Sequence, residues 1–352
     1  MADEGSQFWA PDLVVDVRGG LRPPDSVRSP PSSVLHPAVV LLSRACDRDL
    51  DAAQHLLRRA GIPWVRLDAD EATSTELDID VSTRVLRTAG GVYTPTAVWI
   101  RHFAPAAIAG SSDHDVFVRE SWQAAATALA SIAAVDVAPV SPGLLAQLHV
   151  AQAQQVAVPR TVISTDAPAA GRALGGPRVV LKALHRHFTE ASPGRLSGRF
   201  PRIVGRRDLD GIGTGPPVVV QEYVEHEAEL RVYHLGGQVS AFAIDKEKPA
   251  DPWTAPDRVG VRTVAAPPAV AEATSRIAAA LGMHYGAFDF LIRDGVPVFL
   301  EANPDGDWRW IEQRANTDTI TLGVAQLLAD LHRRVLPSRG RSGSLDLLTF
   351  LA

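Results

Sequence analysis
The chain has 352 residues, 46% of them hydrophobic, a formal net charge of −5 and one cysteine, enough length for two or three domains and too much apolar content for general disorder. Its mild acidity offers no bulk attraction to nucleic acid or an anionic membrane surface, although local arginine clusters leave room for an acidic peptide. Cys46, alone, excludes an internal disulfide and a multi-cysteine metal site, is expected as a buried or neutral small side chain, and points to a reducing, cytoplasmic compartment.

Residues 1–36 contain Pro23-Pro24 and Ser29-Pro30-Pro31-Ser32-Ser33 and read as a Pro/Ser-rich arm without chemistry. They lack the basic flank and apolar core of a secretion signal, and no apolar run in the chain is long enough to span a bilayer, so no targeting is expected. An α/β domain is expected over residues 37–140. The run Ala38-Val39-Val40-Leu41-Leu42 is a buried strand, residues 51–61 form a helix ended by Gly61, and Pro63-Trp64-Val65-Arg66-Leu67 is the next strand. This βαβ start predicts a small doubly wound unit. A later strand, Ala97-Val98-Trp99-Ile100-Arg101-His102, precedes an alanine-rich helix over 116–134, and 136–143, with Pro139 and Pro142, reads as a linker.

The next unit, residues 141–222, opens with a helix over 145–155 and holds strands at Thr161-Val162-Ile163, Val179-Val180-Leu181-Lys182 and Val218-Val219-Val220. Residues 186–207 are polar and read as a mobile loop. Gly211-Ile212-Gly213-Thr214-Gly215 lacks the Lys-Ser/Thr of a phosphate loop and precedes a strand, so it is a loop as well. A third unit, 223–336, carries Glu229-Leu230-Arg231-Val232 and a helix opened by Pro267-Pro268, with Val270, Ala273, Ile277 and Leu281 on one face and Gly282 at its end. A tail, 337–352, closes the chain, which has no internal repeat.

Chemistry concentrates where Phe299-Leu300-Glu301-Ala302-Asn303-Pro304-Asp305-Gly306 brings two oxygen-bearing side chains two residues apart on a strand, hence onto one face. Arg293-Asp294-Gly295-Val296 reads as the turn of a hairpin whose other strand, Gly286-Ala287-Phe288-Asp289-Phe290-Leu291, adds Asp289. Asp289, Glu301 and Asn303 together suit a hard cation such as Mg²⁺. Singly, Asn303 before Pro304 reads equally well as a turn cap, Lys182 or Arg231 as a solvated strand-end charge, and Glu222 or Glu229 as an edge-strand charge.

This arrangement resembles the metal site of the ATP-grasp ligases, and the resemblance runs in family order over residues 179–303. It implies an ATP-grasp fold, with an N-terminal doubly wound α/β domain and two α+β subdomains clamping ATP. It further implies that Lys182 contacts the ATP phosphates, that the hinge Gln221-Glu222-Tyr223-Val224 reads adenine largely through its backbone, and that Glu229 accepts the ribose hydroxyls. Arg231 would pair with the γ-phosphate or an acyl phosphate, and Asp289, Glu301 and Asn303 would hold Mg²⁺. The family's earlier lysine is absent: Leu144 stands near its place, leaving open whether Arg160 or a neighbour substitutes, and Ala287 replaces a flanking arginine of some members.

Glu301-Ala302-Asn303-Pro304-Asp305-Gly306-Asp307-Trp308-Arg309-Trp310 is similar to the extended metal motif of microviridin-type peptide ligases, the graspetide synthetases, relatives of the RimK-like ligases. Trp99-Ile100-Arg101-His102 resembles their Trp-x-Arg-Arg strand, with His102 in place of the second arginine. On residues alone, packing as core fillers of a C-terminal helix is the other reading of the tryptophans. The resemblance implies ATP- and Mg²⁺-dependent carboxylate activation and cross-linking of Asp or Glu side chains to Thr/Ser hydroxyls or Lys amines in a ribosomal precursor peptide, by a homodimer. His185 and His187 read as surface polarity or as groups that deprotonate an amine or orient phosphate. Ligation of free amino acids or a small intermediate, and non-catalytic ATP-binding regulation, are the alternatives.

Overall fold
The described residues of the computed structural model are 13–16, 35–105, 108, 110–139, 143–185, 187–212 and 214–336. The Pro/Ser-rich stretch at 23–33 and the tail 337–352 fall outside them. A short strand β1 (Leu13–Asp16) precedes β2 (Leu35–Ser43), α1 (Arg48–Arg59), β3 (Trp64–Asp68), β4 (Leu77–Asp80), β5 (Val85–Thr88) and β6 (Gly91–Ile100). The sheet order is β3-β2-β6-β5-β4, with β2 parallel to both neighbours. A central parallel strand is covered on both faces, which is why Ala38 to Leu42 is an unbroken apolar run.

Helix α1 starts earlier than its periodicity suggests, because Asp47 caps it by accepting the Leu50 amide at 3.2 Å. β6 ends at Ile100, so Arg101 and His102 lie beyond the strand on which the sequence placed them. Helix α2 (Asp113–Ile132) covers one face of this sheet, and β7 (Val135–Asp136) then adds to β6 in parallel. The expected linker is therefore partly structural, with Val137 fully buried. Cys46 is exposed, not buried, in the turn before α1.

Helix α3 (Leu144–Ala153) leads to β8 (Thr161–Ser164), α4 (Ala167–Leu174) and β9 (Arg178–Lys182). The polar segment expected as a loop forms three strands: β10 (Phe188–Ser192), β11 (Arg195–Gly198) and β12 (Arg202–Gly205). β10 and β11 are a hairpin whose outer edge pairs with β1, and β12 joins β9. With β13 (Val218–Glu222) they complete a four-stranded antiparallel sheet, β12-β9-β13-β8.

A second antiparallel sheet, ordered β16-β15-β14-β17-β18, comprises β14 (Ala228–Leu235), β15 (Gln238–Asp245), β16 (Gly260–Val264), β17 (Tyr285–Arg293) and β18 (Val296–Asn303). Between β15 and β16 lies the short helix α5 (Asp251–Thr254), and between β16 and β17 lies α6 (Pro268–Ala280). The β17–β18 turn has Asp294 at φ 53° and Gly295 at φ 73°, the two positive values a tight hairpin needs. On one face, Leu230, Val232, Phe288, Phe290, Phe299 and Ala302 form a core with Val270, Ala273 and Ile277 of α6.

Helices α7 (Arg309–Ala315) and α8 (Thr319–Val335) end the described chain. The other face of the five-stranded sheet is partly covered where Tyr233, Tyr285 and Trp308 share a core with Leu50, Trp99, Val324 and Leu328, so α8 joins this sheet to the N-terminal unit. No helix among the described residues is long and apolar enough to cross a membrane.

Candidate active site
The face left open beyond that core presents the polar residues. Leu230 and Val232 enter the core, which turns Glu229 and Arg231 outward; Phe288 and Phe290 do the same for Asp289. β18 needs an extra device, because Phe299 and Glu301 have the same parity yet face opposite sides. A bulge between the Asp289–Glu301 and Phe290–Phe299 pairs resolves this, burying Phe299 while keeping Glu301 and Asn303 on the open face.

Register places Arg231 opposite Asp289 and Asp289 opposite Glu301, making one row across β14, β17 and β18. Arg231 Nη1 donates to Asp289 Oδ2 at 2.7 Å, and the Asn303 amide donates to Glu301 Oε1 at 3.2 Å and Asp289 Oδ2 at 3.5 Å. Burial pushes the Asp289 carboxyl up to about 6, Arg231 opposes that shift, and neighbouring Glu301 adds to it. Burial also disfavours the Glu301 carboxylate, but Lys182, His187 and Asn303 outweigh it and hold the group below its usual range. No group of three or more His, Cys, Asp or Glu side chains suited to a metal occurs among the described residues; here the third oxygen donor would come from an amide.

Lys182 ends β9 and is buried, with no hydrogen bond or ion pair to a described residue fixing its ammonium. Its charge and that of His187 reach Glu301 from the hairpin side. The His187 ring lies 5.4 Å from that of Trp253, which stacks on Phe200 at 4.6 Å; its Nδ1 is buried without a partner, and burial holds the imidazole below its usual range. His185 is exposed.

Gln221 is buried, its amide donating to Thr161 Oγ1 at 2.9 Å, and the Glu222 amide donates to the Arg160 carbonyl at 2.9 Å. The Arg178 guanidinium lies 4.0 Å from the centre of the Tyr223 ring, and Val224 packs with Leu291 and Val298. Glu229 is ion-paired with Lys246 across the sheet. Arg160, considered as a replacement for the lysine missing near Leu144, has its guanidinium on the Leu174 and Ala173 carbonyls at 2.9 and 3.2 Å, at the end of α4.

Sequence reading missed the supports. The Gln147 side chain of α3 pairs with both backbone groups of Ala302, between Glu301 and Asn303, at 3.0 and 2.8 Å. Arg44 bridges Asp70 and Glu190, tying the β10–β11 hairpin to the N-terminal unit. Nothing local in the sequence marks either, since the partners lie far apart in the chain.

No protein-family model and no curated protein matches the sequence. Solved structures do match in shape. Macrocyclase MdnC from Microcystis aeruginosa, bound with precursor peptide MdnA, superposes with a TM-score of 0.69 at 19% identity, covering 83% of this chain and 99% of that one. A RiPP-associated ATP-grasp ligase from Chryseobacterium gregarium, in complex with ADP and a leader and core peptide, gives 0.68 at 19%, covering 84% and 97%. The ATP-grasp ligase PsnB, complexed with a precursor variant, Mg and ADP, gives 0.64 at 21%, covering 85% and 99%. The chain therefore has the ATP-grasp fold, in the α/β architecture expected.

Proposed function
We propose that this protein is an ATP-dependent ligase that activates a carboxylate of a ribosomal precursor peptide as an acyl phosphate and joins it to a side-chain hydroxyl or amine. The observation that carries the reading is the row Arg231–Asp289–Glu301, with Asn303 beside it, on the open face of the five-stranded sheet within reach of the Lys182 charge. A fold shared with MdnC, which was solved with its precursor peptide, and with a ligase solved with ADP, leader and core peptide, supports it.

The donor set fits a hard divalent cation. Two carboxylates and an amide gather at hydrogen-bonding range, and the charge of Glu301 raises Asp289, a repulsion that bound cation would relieve. Asp289, Glu301 and Asn303 would hold Mg²⁺, which when bound neutralises charge on the nucleotide phosphates. The chain's own part is placement. Lys182, without a fixed partner, and Arg231, whose Nε is buried and unpartnered, are donors available to phosphate oxygens. Glu229 would accept the ribose hydroxyls, exchanging part of its pairing with Lys246, and the backbone of 221–224 would border adenine. Arg160 is committed elsewhere, so phosphate binding falls to Lys182 and Arg231.

The test is Mg²⁺-dependent ADP release with and without an acidic, Thr-rich peptide encoded beside the gene, followed by intact mass. ADP release with loss of one water per link supports the reading; release with free amino acids only, or ATP binding without release, overturns it.

A further inference from the structure
Arg101, just after β6, has a fully buried side chain that touches neither Asp289, Glu301 nor Asn303. One side of its guanidinium is spent within the N-terminal unit, Nε donating to Asp47 Oδ2 at 2.9 Å and Nη2 to Asp49 Oδ2 at 3.4 Å. The other side crosses to the loop that follows Asn303. Nη1 donates to the Gly306 carbonyl at 3.4 Å and Nη2 to Asp307 Oδ1 at 2.8 Å. Its Cζ lies 4.5 Å from the centre of the Trp308 ring, which, with these hydrogen bonds, holds the fork in one orientation.

More hydrogen bonds fix the same loop from outside. Tyr285 Oη donates to the Gly306 carbonyl at 2.5 Å, Tyr233 Oη to the Asp307 carbonyl at 2.6 Å, and the Trp308 amide to Asp49 Oδ2 at 2.7 Å. On its inner side Gly306 lies against Arg231: a Cβ there would stand 3.0 Å from Arg231 Nη2 and 2.4 Å from Ala287 Cβ. Arg231 Nε has no hydrogen-bond partner, so beyond its contact with Asp289 and the Tyr233 ring, whose centre lies 5.7 Å from its Cζ, this backbone wall limits where the guanidinium points.

We propose that Arg101 is a positioning residue for Arg231, acting through the Gly306 backbone; the inference rests on the ligase reading for its effect on turnover. A buried ion network is a poor source of net stability compared with apolar residues of similar volume, but it fixes geometry, which is what a phosphate-directed arginine needs. The N-terminal unit thereby contributes to the active site without touching a substrate.

Arg101→Met is expected to lower kcat for ADP release roughly 10–100-fold with little change in KM for ATP. Arg101→Lys, which keeps charge but not the fork, should stay well below wild type; full activity in the lysine variant would overturn the proposal. Where Arg101→Met fails to unfold cooperatively, Gly306→Ala in an Ala287→Gly background carries the test, since it removes the 2.4 Å clash and keeps the 3.0 Å one against Arg231. A readout independent of turnover is the Nε–Hε resonance of Arg231 in ¹⁵N-arginine protein, assigned by its loss in Arg231→Lys. A moved resonance in Arg101→Met or in the Gly306→Ala double variant supports the positioning role. An unmoved one overturns it. Absence of ADP release from the wild type with any acceptor would instead sink the ligase reading, and the resonance would still decide the positioning role.

Discussion

Arg231 and Asp289 face each other on neighbouring strands, with Nη1 2.7 Å from Oδ2 and each side chain more than four-fifths buried. The pair gives Asp289 two partners of opposite effect, since Arg231 favours its carboxylate and Glu301 disfavours it. Asp289→Asn is expected to abolish ADP release and to leave Arg231 without its counter-charge, at a cost of about 3 kcal/mol in urea unfolding. Glu301→Ala with Asn303→Ala should also abolish turnover, with the fold kept. Undiminished ADP release in either variant would remove these residues from the proposed metal site.

Gln147 controls the same strand from behind. β18 is an edge strand, so the outward amide and carbonyl of Ala302 have no neighbouring strand, and the Gln147 side chain takes both. Gln147→Leu should strand two buried backbone groups, costing about 1–3 kcal/mol, and should raise the Mg²⁺ concentration needed for half-maximal ADP release. A Mg²⁺ titration matching wild type would mean that the clamp serves stability alone.

The parts of the site that sequence made legible are those set by local alternation. Phe288-Asp289-Phe290 and Leu230-Arg231-Val232 each place one charge between two core residues, and Asp294-Gly295 marks the turn between β17 and β18; these patterns carried the fold and the grouping of Asp289, Glu301 and Asn303. The bulge before Glu301 was not legible, because the apolar run Val298-Phe299-Leu300 reads equally well in either register. The β10–β11 hairpin was read as loop, since Thr189, Glu190 and Ser197 hide its period among polar residues. Gln147, Arg44 and Arg101 act on partners 155, 146 and 206 residues away, and no window of sequence holds both ends.

The hairpin is held by one such contact. Arg44 donates to Glu190 at 2.8 Å, with side chains 9% and 5% exposed, while Glu190 also accepts the Gly194 amide of the hairpin turn at 2.6 Å. Glu190→Gln keeps the size but removes the charge, so the docking of β10–β11 should weaken by about 1–3 kcal/mol with global unfolding little changed. Hydrogen exchange of residues 188–198 should accelerate selectively. Equal protection in the variant would show that pairing with β1 suffices to hold the hairpin.

His234 predicts a pH dependence of stability away from the site. It lies on β14 on the core side, edge-on to Phe288, with Nδ1 buried and unpartnered. Burial, with a smaller contribution from His284, pushes its imidazole from the ordinary 6.5 down to about 4. Between these values the unfolded chain binds the proton and the folded one does not, so this stability is full above pH 6.5 and is lost as pH falls towards 4. The loss attributable to His234 is up to about 3 kcal/mol. His234→Phe should remove it, flattening the urea midpoint across that window; a variant whose midpoint falls as steeply as wild type would place the titration elsewhere.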